Sequence, residues 1–223
     1  MRTWSCWVLA TLLFLGLIAI GVPYGFYAYG ASAIRVSPTP SPYRAPGAIQ
    51  QQYLSMEAPG IASLPELSPL TVWLAWYRAT DPDSPVRTQL RLLSLAARMF
   101  PSSEQGGSSR HHAAELAKAV MISRSWSLQQ VAGTILAKSY FGRDAHGLEA
   151  ASRAYYGLPA AGLNVEQSLV LIVLMKGPDY YDPGCNRERF ERRYLQAAAL
   201  SSMRTDRDAP SRALFGLHPA VCR

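Results

Sequence analysis

Cysteine and histidine are scarce in this chain, with three and four residues respectively. None stands at the spacing of a zinc site, and three cysteines cannot build a multi-bridge disulfide scaffold. Charge is thin as well: 17% of residues are Asp, Glu, Lys or Arg, and the acids are the rarer kind, 15 against 22 bases. The resulting formal charge of +7 suits anionic partners such as phospholipid head groups, phosphates or wall polymers. No nucleic-acid motif is present and the aromatic residues are not interleaved with the basic ones, so no nucleic acid is expected as a partner. No stretch shows convincing period-two alternation, which leaves an all-α expectation.

The longest local absence is at the N-terminus. Trp4 to Tyr29 holds no charged residue, and a membrane-spanning helix needs about 20 apolar residues. Trp4 and Trp7 lie at one end and Tyr24, Tyr27 and Tyr29 at the other, as in an aromatic belt. Arg2 precedes the run and is expected to place the N-terminus in the cytoplasm and the rest of the chain outside, on a single pass through the membrane. Ala31-Ser32-Ala33 has the A-x-A form of a signal-peptide cleavage site, so a removed signal is the alternative; the length of the apolar run favours an uncleaved anchor.

The next segment is punctuated by proline. Ser37 to Gly47 carries four prolines and reads as an extended spacer. The expected organisation is an anchor over residues 1–33, a Pro-rich linker over 34–60, a helical domain over 61–208 and a tail over 209–223. Within the domain, apolar periodicity predicts helices over Leu70–Tyr77, Arg87–Phe100, His111–Ser125, Ala145–Tyr156 and Arg187–Met203. Ser127 with Gln130, and Asn164 with Gln167, have the spacing of capping pairs that open two more. The second of these, VEQSLVLIVLM, is apolar nearly all round and reads as a buried central helix. In the last helix Phe190, Tyr194 and Leu195 are expected inward. Gly142 and Gly157, each directly after an aromatic pair, are expected to end helices. Cys6 falls in the anchor; Cys185 and Cys222 fall in the exported part, where disulfides persist. A bridge between those two would tie the tail to the domain, with two unpaired thiols as the alternative.

One stretch is specific. Tyr140-Phe141-Gly142, Gly147-Leu148-Glu149-Ala150-Ala151, Tyr155-Tyr156-Gly157, Leu163, Pro178 and Tyr181-Asp182-Pro183 stand in one register. Together they resemble the second half of the peptidoglycan glycosyltransferase domain, glycosyltransferase family 51, over about Arg110 to Leu195. The resemblance implies a lysozyme-like helical domain that works on lipid II outside the cytoplasmic membrane. The implied partners are lipid II or a glycan strand, the inner-membrane lipid, and proteins of wall synthesis or of an envelope machine.

The resemblance also implies a reaction. A sugar hydroxyl loses a proton as it attacks an anomeric carbon, and the leaving pyrophosphate has its charge met by cations or a metal. The family's second catalytic glutamate, in R-K-x-x-E, matches Glu115. His111 and His112 stand where the family has Arg-Lys, so most of the fixed positive charge is replaced by residues largely neutral at pH 7. Arg110 is the neighbouring cation. The first glutamate, in E-D-x-x-F-x-x-H-x-G, has no counterpart; counting on from Leu67-Ser68-Pro69, Asp81 is the nearest carboxylate, in a proline-flanked turn. The G-G-S-T-I-T-Q-Q motif is also missing, and Gly133 and Ala137 replace the Glu and Asn of I-L-E-x-Y-L-N.

The candidate site is therefore Glu115, with Asp81 as a weaker catalytic substitute and Arg110, His111, His112 and Glu149 as substrate-binding residues. Local readings compete: Glu115 as a partner of Lys118 one turn on, and Glu149 as a helix-start carboxylate. No cofactor is assigned, although the family uses a divalent cation. The expectation is a pseudoenzyme that binds or scaffolds at the lipid II or glycan site; the alternative is a specialised glycosyltransferase working through Glu115.

Overall fold

The computed structural model describes residues 2–82, 84–102, 108–201, 206 and 208–219, with the side chains of residues 2–6 excepted. Its first element is α1 (Arg2–Ala31), which continues through Pro23. Within it, Trp7–Ala31 is long and apolar enough to cross a membrane, with a mean hydropathy of 2.1. The other helices are α2 (Gly47–Glu57), α3 (Thr71–Arg78), α4 (Pro85–Arg98), α5 (Ser109–Ser125), α6 (Leu128–Lys138), α7 (Leu148–Tyr156), α8 (Val165–Leu174), α9 (Pro178–Tyr181), α10 (Arg187–Leu200) and α11 (Ala209–Ala213). The fold is all-α; the described residues hold no strand, only an isolated bridge between Tyr140 and His146.

The chain divides into two compact units, Met1–Thr39 with Ser63–Trp126, and Pro40–Ala62 with Ser127–Arg223. In the first, α4 turns Leu90, Leu92, Leu93, Ala96 and Ala97 inward against α5. The C-terminal end of α1 also packs on α5. Gly30 lies so close to α5 that a Cβ there would run into the Ala113 carbonyl, so glycine is what permits the two helices to touch.

In the second unit α8 is the axis. Leu169 through Leu174 are fully buried, as the unbroken apolar run predicts. Both expected capping boxes are formed, Ser127 with Gln130 opening α6 and Asn164 with Gln167 opening α8. α2 was not legible in the sequence. It buries Ile49, Tyr53 and Met56, and Gln52 ties it to α8, donating to the Val165 carbonyl at 3.1 Å and accepting from Ser168 Oγ at 2.7 Å. Buried Glu57 adds an ion pair with Lys176 at 2.6 Å.

α7 and α10 need two corrections. Gly157 caps α7 in the left-handed region as expected, but Gly142 does not end a helix: α6 stops at Lys138, and Gly142 sits in the turn after it, at φ 88°. In α10, Phe190 and Tyr194 are buried while Leu195 is exposed, because Ala197 and Ala198 occupy that part of the buried face. The expected end of that helix, beyond residue 201, and the Gly106-Gly107 pair before α5 fall outside the described residues.

Candidate functional site

Glu115 is on the second turn of α5. Ser108 caps the helix, its hydroxyl accepting from the His111 N–H at 3.0 Å. The Glu115 side chain is only 16% exposed, so it does not lie on a solvated face, and its partner is not Lys118. Arg98, at the end of α4, brings Nε to 3.2 Å from Glu115 Oε1. His111, one turn back on α5, brings Nε2 to 3.4 Å from the same oxygen. The other ring nitrogen, Nδ1, is 3.2 Å from Ser102 Oγ. With the proton on Nε2 facing the carboxylate, Nδ1 is an acceptor and Ser102 donates to it. His112 stands edge-on to His111, ring centroids 5.7 Å apart.

Lys118 turns inside instead. It is 1% exposed and its ammonium donates to the Phe100 carbonyl at 2.6 Å. Burial pulls its pKa below the ordinary lysine value, and the charge of Glu115 partly offsets that. Arg98 thus puts a cationic group against Glu115 that the motif spacing does not predict, while Lys118, the partner that the spacing offers, points into the core. Arg98 is on another helix.

The other expected residues are spread out. Arg110 faces α1, with Nη2 3.4 Å from Ser32 Oγ and its guanidinium 5.6 Å from the Tyr29 ring centroid. Asp81 is exposed in the turn between α3 and α4, its carbonyl accepting from the Ser84 N–H at 3.2 Å. In the second unit Glu149 opens α7. Its Oε2 accepts from the Ala160 N–H at 3.0 Å and its Oε1 pairs with Arg153 at 2.9 Å, which is a helix-start role. It also borders a small hollow of about 180 Å³ with Ser41, Tyr43 and His146. There burial, then the Glu149 charge, raises the Tyr43 phenol above its ordinary value.

A larger cleft of about 670 Å³ in the second unit is lined by Tyr140, Arg143, Asp179, Asp182, Cys185 and Asn186. Arg143 crosses its wall. Nε and Nη2 bind Asp182 at 3.0 and 3.1 Å, Nη1 donates to the His218 carbonyl at 2.8 Å, and the guanidinium lies 4.1 Å from the Tyr155 ring centroid. Asp182 stands out in the sequence only as part of a motif, and its partner was not identified there. Cys185 is disulfide-bonded; Cys222, the partner expected from the sequence, lies outside the described residues.

The donors around Glu115 do not fit a divalent cation. A guanidinium and an imidazole already face the carboxylate, and among the described residues no group of three or more His, Cys, Asp or Glu could hold a metal ion.

Comparison with known proteins bears on the same helices. The family model described as Transglycosylase matches residues 88–204, just over half of the chain. Penicillin-binding protein 1A of Mycobacterium tuberculosis is 38% identical over 76 residues, 34% of this chain and 9% of that protein. Penicillin-binding protein 1A of Mycolicibacterium smegmatis is 35% identical over 104 residues, 44% of this chain and 13% of that protein. A biosynthetic peptidoglycan transglycosylase of Acinetobacter baumannii is 33% identical over 86 residues, 36% of this chain and 38% of that protein. The matched segments thus span well under half the length of these relatives.

Proposed function

The chain belongs to the transglycosylase family, and from that premise we propose that it is a membrane-anchored, exported pseudoenzyme that binds or scaffolds at a lipid II or glycan site in peptidoglycan biology. The observation that carries the reading is the state of Glu115: Arg98 and His111 both face one of its carboxylate oxygens, at 3.2 and 3.4 Å. A general base needs an oxygen within hydrogen-bond reach of the hydroxyl it deprotonates. Here a guanidinium and an imidazole surround the carboxylate, an arrangement suited to holding an anion rather than to accepting a proton. Asp81, the nearest substitute for the missing first glutamate, lies exposed in a turn.

The chemistry that remains is electrostatic. Arg98, His111 and His112 gather beside α5, and together they could meet a pyrophosphate without completing a transfer. The apolar Trp7–Ala31 helix would hold the site at the inner membrane, where a lipid-linked substrate resides. Its N-terminus would lie in the cytoplasm and both units in the periplasm. Protein partners in wall synthesis or an envelope machine would give such a domain its use.

The competing reading is a specialised glycosyltransferase acting through Glu115. It is supported by the position of Glu115 in the family register. Detergent-solubilised full-length protein, offered labelled lipid II beside the Glu115→Gln variant, separates the two. The pseudoenzyme reading expects lipid II binding without glycan. Glycan made by the parent and lost in the variant would overturn it.

A further inference from the structure

The short helix α3 carries more apolar surface than water tolerates. Of its eight residues only Val72 and Ala75 are buried. Around them Leu70, Trp73, Leu74, Trp76 and Tyr77 are exposed, Trp76 at 62% and Tyr77 at 75%. Arg78 stands at the helix end. A contiguous apolar patch of this kind on a folded unit marks a surface that something covers.

The surface says what covers it. Tryptophan and tyrosine pair an apolar ring with a polar edge and favour the boundary between lipid and water, and an arginine beside them suits anionic head groups. The patch also has a fixed position along α1. Trp73 meets Phe26 edge to face, ring centroids 5.6 Å apart. Phe26 lies among Tyr24, Tyr27 and Tyr29, the aromatic end of the apolar span. Where α1 leaves the hydrocarbon, α3 is therefore already at head-group depth.

The geometry points to α3 as a second membrane contact, an interfacial helix whose Trp73, Leu74, Trp76 and Tyr77 enter the phospholipid surface beside α1. This rests on the reading of α1 as a membrane span. With α1 inserted, the lipid is held next to α3 at all times, so the short helix needs little affinity of its own. A protein partner or a second copy of the chain would cover the same patch differently, and the test separates them.

A diazirine-bearing amino acid is placed singly at Phe14, Tyr77 or Arg87 of the full-length protein, which is then reconstituted in phosphatidylethanolamine–phosphatidylglycerol nanodiscs and irradiated. Phe14 reports the span, Tyr77 the patch, and Arg87, exposed on α4 outside the patch, serves as the control. Lipid adducts are expected at 14 and 77, with about tenfold less at 87, because only the first two would touch lipid. Adducts at 14 without adducts at 77 would refute the interfacial helix and leave the anchor standing. Protein–protein adducts at 77 in place of lipid would also refute it. No lipid adduct at 14 would remove the span and this inference with it. Acrylamide quenching of Trp76 provides a second readout: in a chain with Trp4, Trp7, Trp73 and Trp126 changed to Phe, which leaves Trp76 as the one indole and keeps a ring against Phe26, Trp76 should be shielded in nanodiscs, and free access of acrylamide would count against the helix.

Discussion

Arg143 and Asp182 are joined by two parallel hydrogen bonds, Nε to Oδ2 at 3.0 Å and Nη2 to Oδ1 at 3.1 Å. They are 39 residues apart in sequence and come from two of the landmarks that mark the family, the turn after Tyr140-Phe141-Gly142 and the Tyr181-Asp182-Pro183 segment. Both side chains are mostly buried, at 16% and 10% exposure. The landmarks are therefore contacts with one another, which explains why they occur in fixed register.

Breaking that pair by removing one partner leaves a poorly solvated charge behind. Asp182→Asn should cost about 2 kcal/mol, reduced from the fully buried case because some water reaches the pair. Arg143→Met combined with Asp182→Asn should cost less than the sum of the single changes. Urea unfolding of the four proteins of the cycle gives the coupling, and strict additivity would mean the pair does not act as a unit.

Gly142 is the neighbour of the clamp. At φ 88°, a Cβ there would lie 2.8 Å from both Pro178 Cβ and Tyr155 Oη. Gly142→Ala combines left-handed strain with collision against a ring that cannot swing away, and should lose roughly 2–3 kcal/mol. A melting temperature equal to that of the parent would show that the turn relaxes.

Three tyrosines in the second unit set its alkaline limit. Burial is the first cause raising Tyr155, Tyr156 and Tyr194 above the ordinary phenol value. A phenol whose folded pKa is raised holds its proton when the unfolded chain has lost it. Its stabilisation is full below about pH 10 and falls as pH climbs beyond that toward the folded value. Unfolding midpoints measured from pH 8 to 11 should drop above pH 10, and Tyr156→Phe should flatten the drop. At pH 8, Tyr156→Phe should cost about 1 kcal/mol, because it removes a hydrogen bond to the Ala213 carbonyl at 2.9 Å. Tyr194→Phe should cost nothing or stabilise, because its buried hydroxyl has no hydrogen-bond partner among the described residues.

Lys118 should behave against intuition. Its folded pKa is lowered, chiefly by burial, so at pH 7 the folded state bears the cost of a charged ammonium in the core. Lys118→Met should leave stability unchanged or raise it by about 1 kcal/mol. The gain should shrink toward pH 10, because the wild-type chain is stabilised as pH rises from the lowered folded value to the unfolded one. A loss of several kcal/mol at pH 7 would mean that the bond to Phe100 outweighs desolvation.

Peptide mapping without reductant should recover Cys185 joined to Cys222. Such a bridge, closing a long loop, would contribute about 3–4 kcal/mol to the second unit. Recovery of Cys222 as a free thiol would refute the pairing.

Local chemistry was legible and distant pairing was not. The capping boxes at Ser127 and Asn164 span three residues each and form as their spacing predicts. The burial of α8 comes from its unbroken apolar run. α2 was hidden because GAIQQQYLSME is largely polar and comes after prolines; Ile49, Tyr53 and Met56 gain their meaning only from the core they enter. At the site, spacing singled out Glu115 and His111, but the only partner it offered Glu115 was Lys118. The partner it has, Arg98, comes from a different helix, and no pattern along one helix reveals that. Gly142 was read as a helix stop because glycine after aromatics has that form; its need arises from Pro178 and Tyr155, far along the chain.

The contact between Gly30 and Ala113 has a mechanical consequence. Ala113 is two residues from Glu115, and a rise of about 1.5 Å per residue puts the carboxylate within a single helical turn of the point where α1 is pressed against α5. Under the proposed insertion of α1, that helix would be less a tether than an axle. A tilt of α1 to match bilayer thickness would be passed to α5 through the Gly30–Ala113 contact and would shift Glu115 relative to the lipid head groups. Membrane thickness would then set the height of the site, and Gly30→Leu, by wedging the two helices apart, would disconnect it.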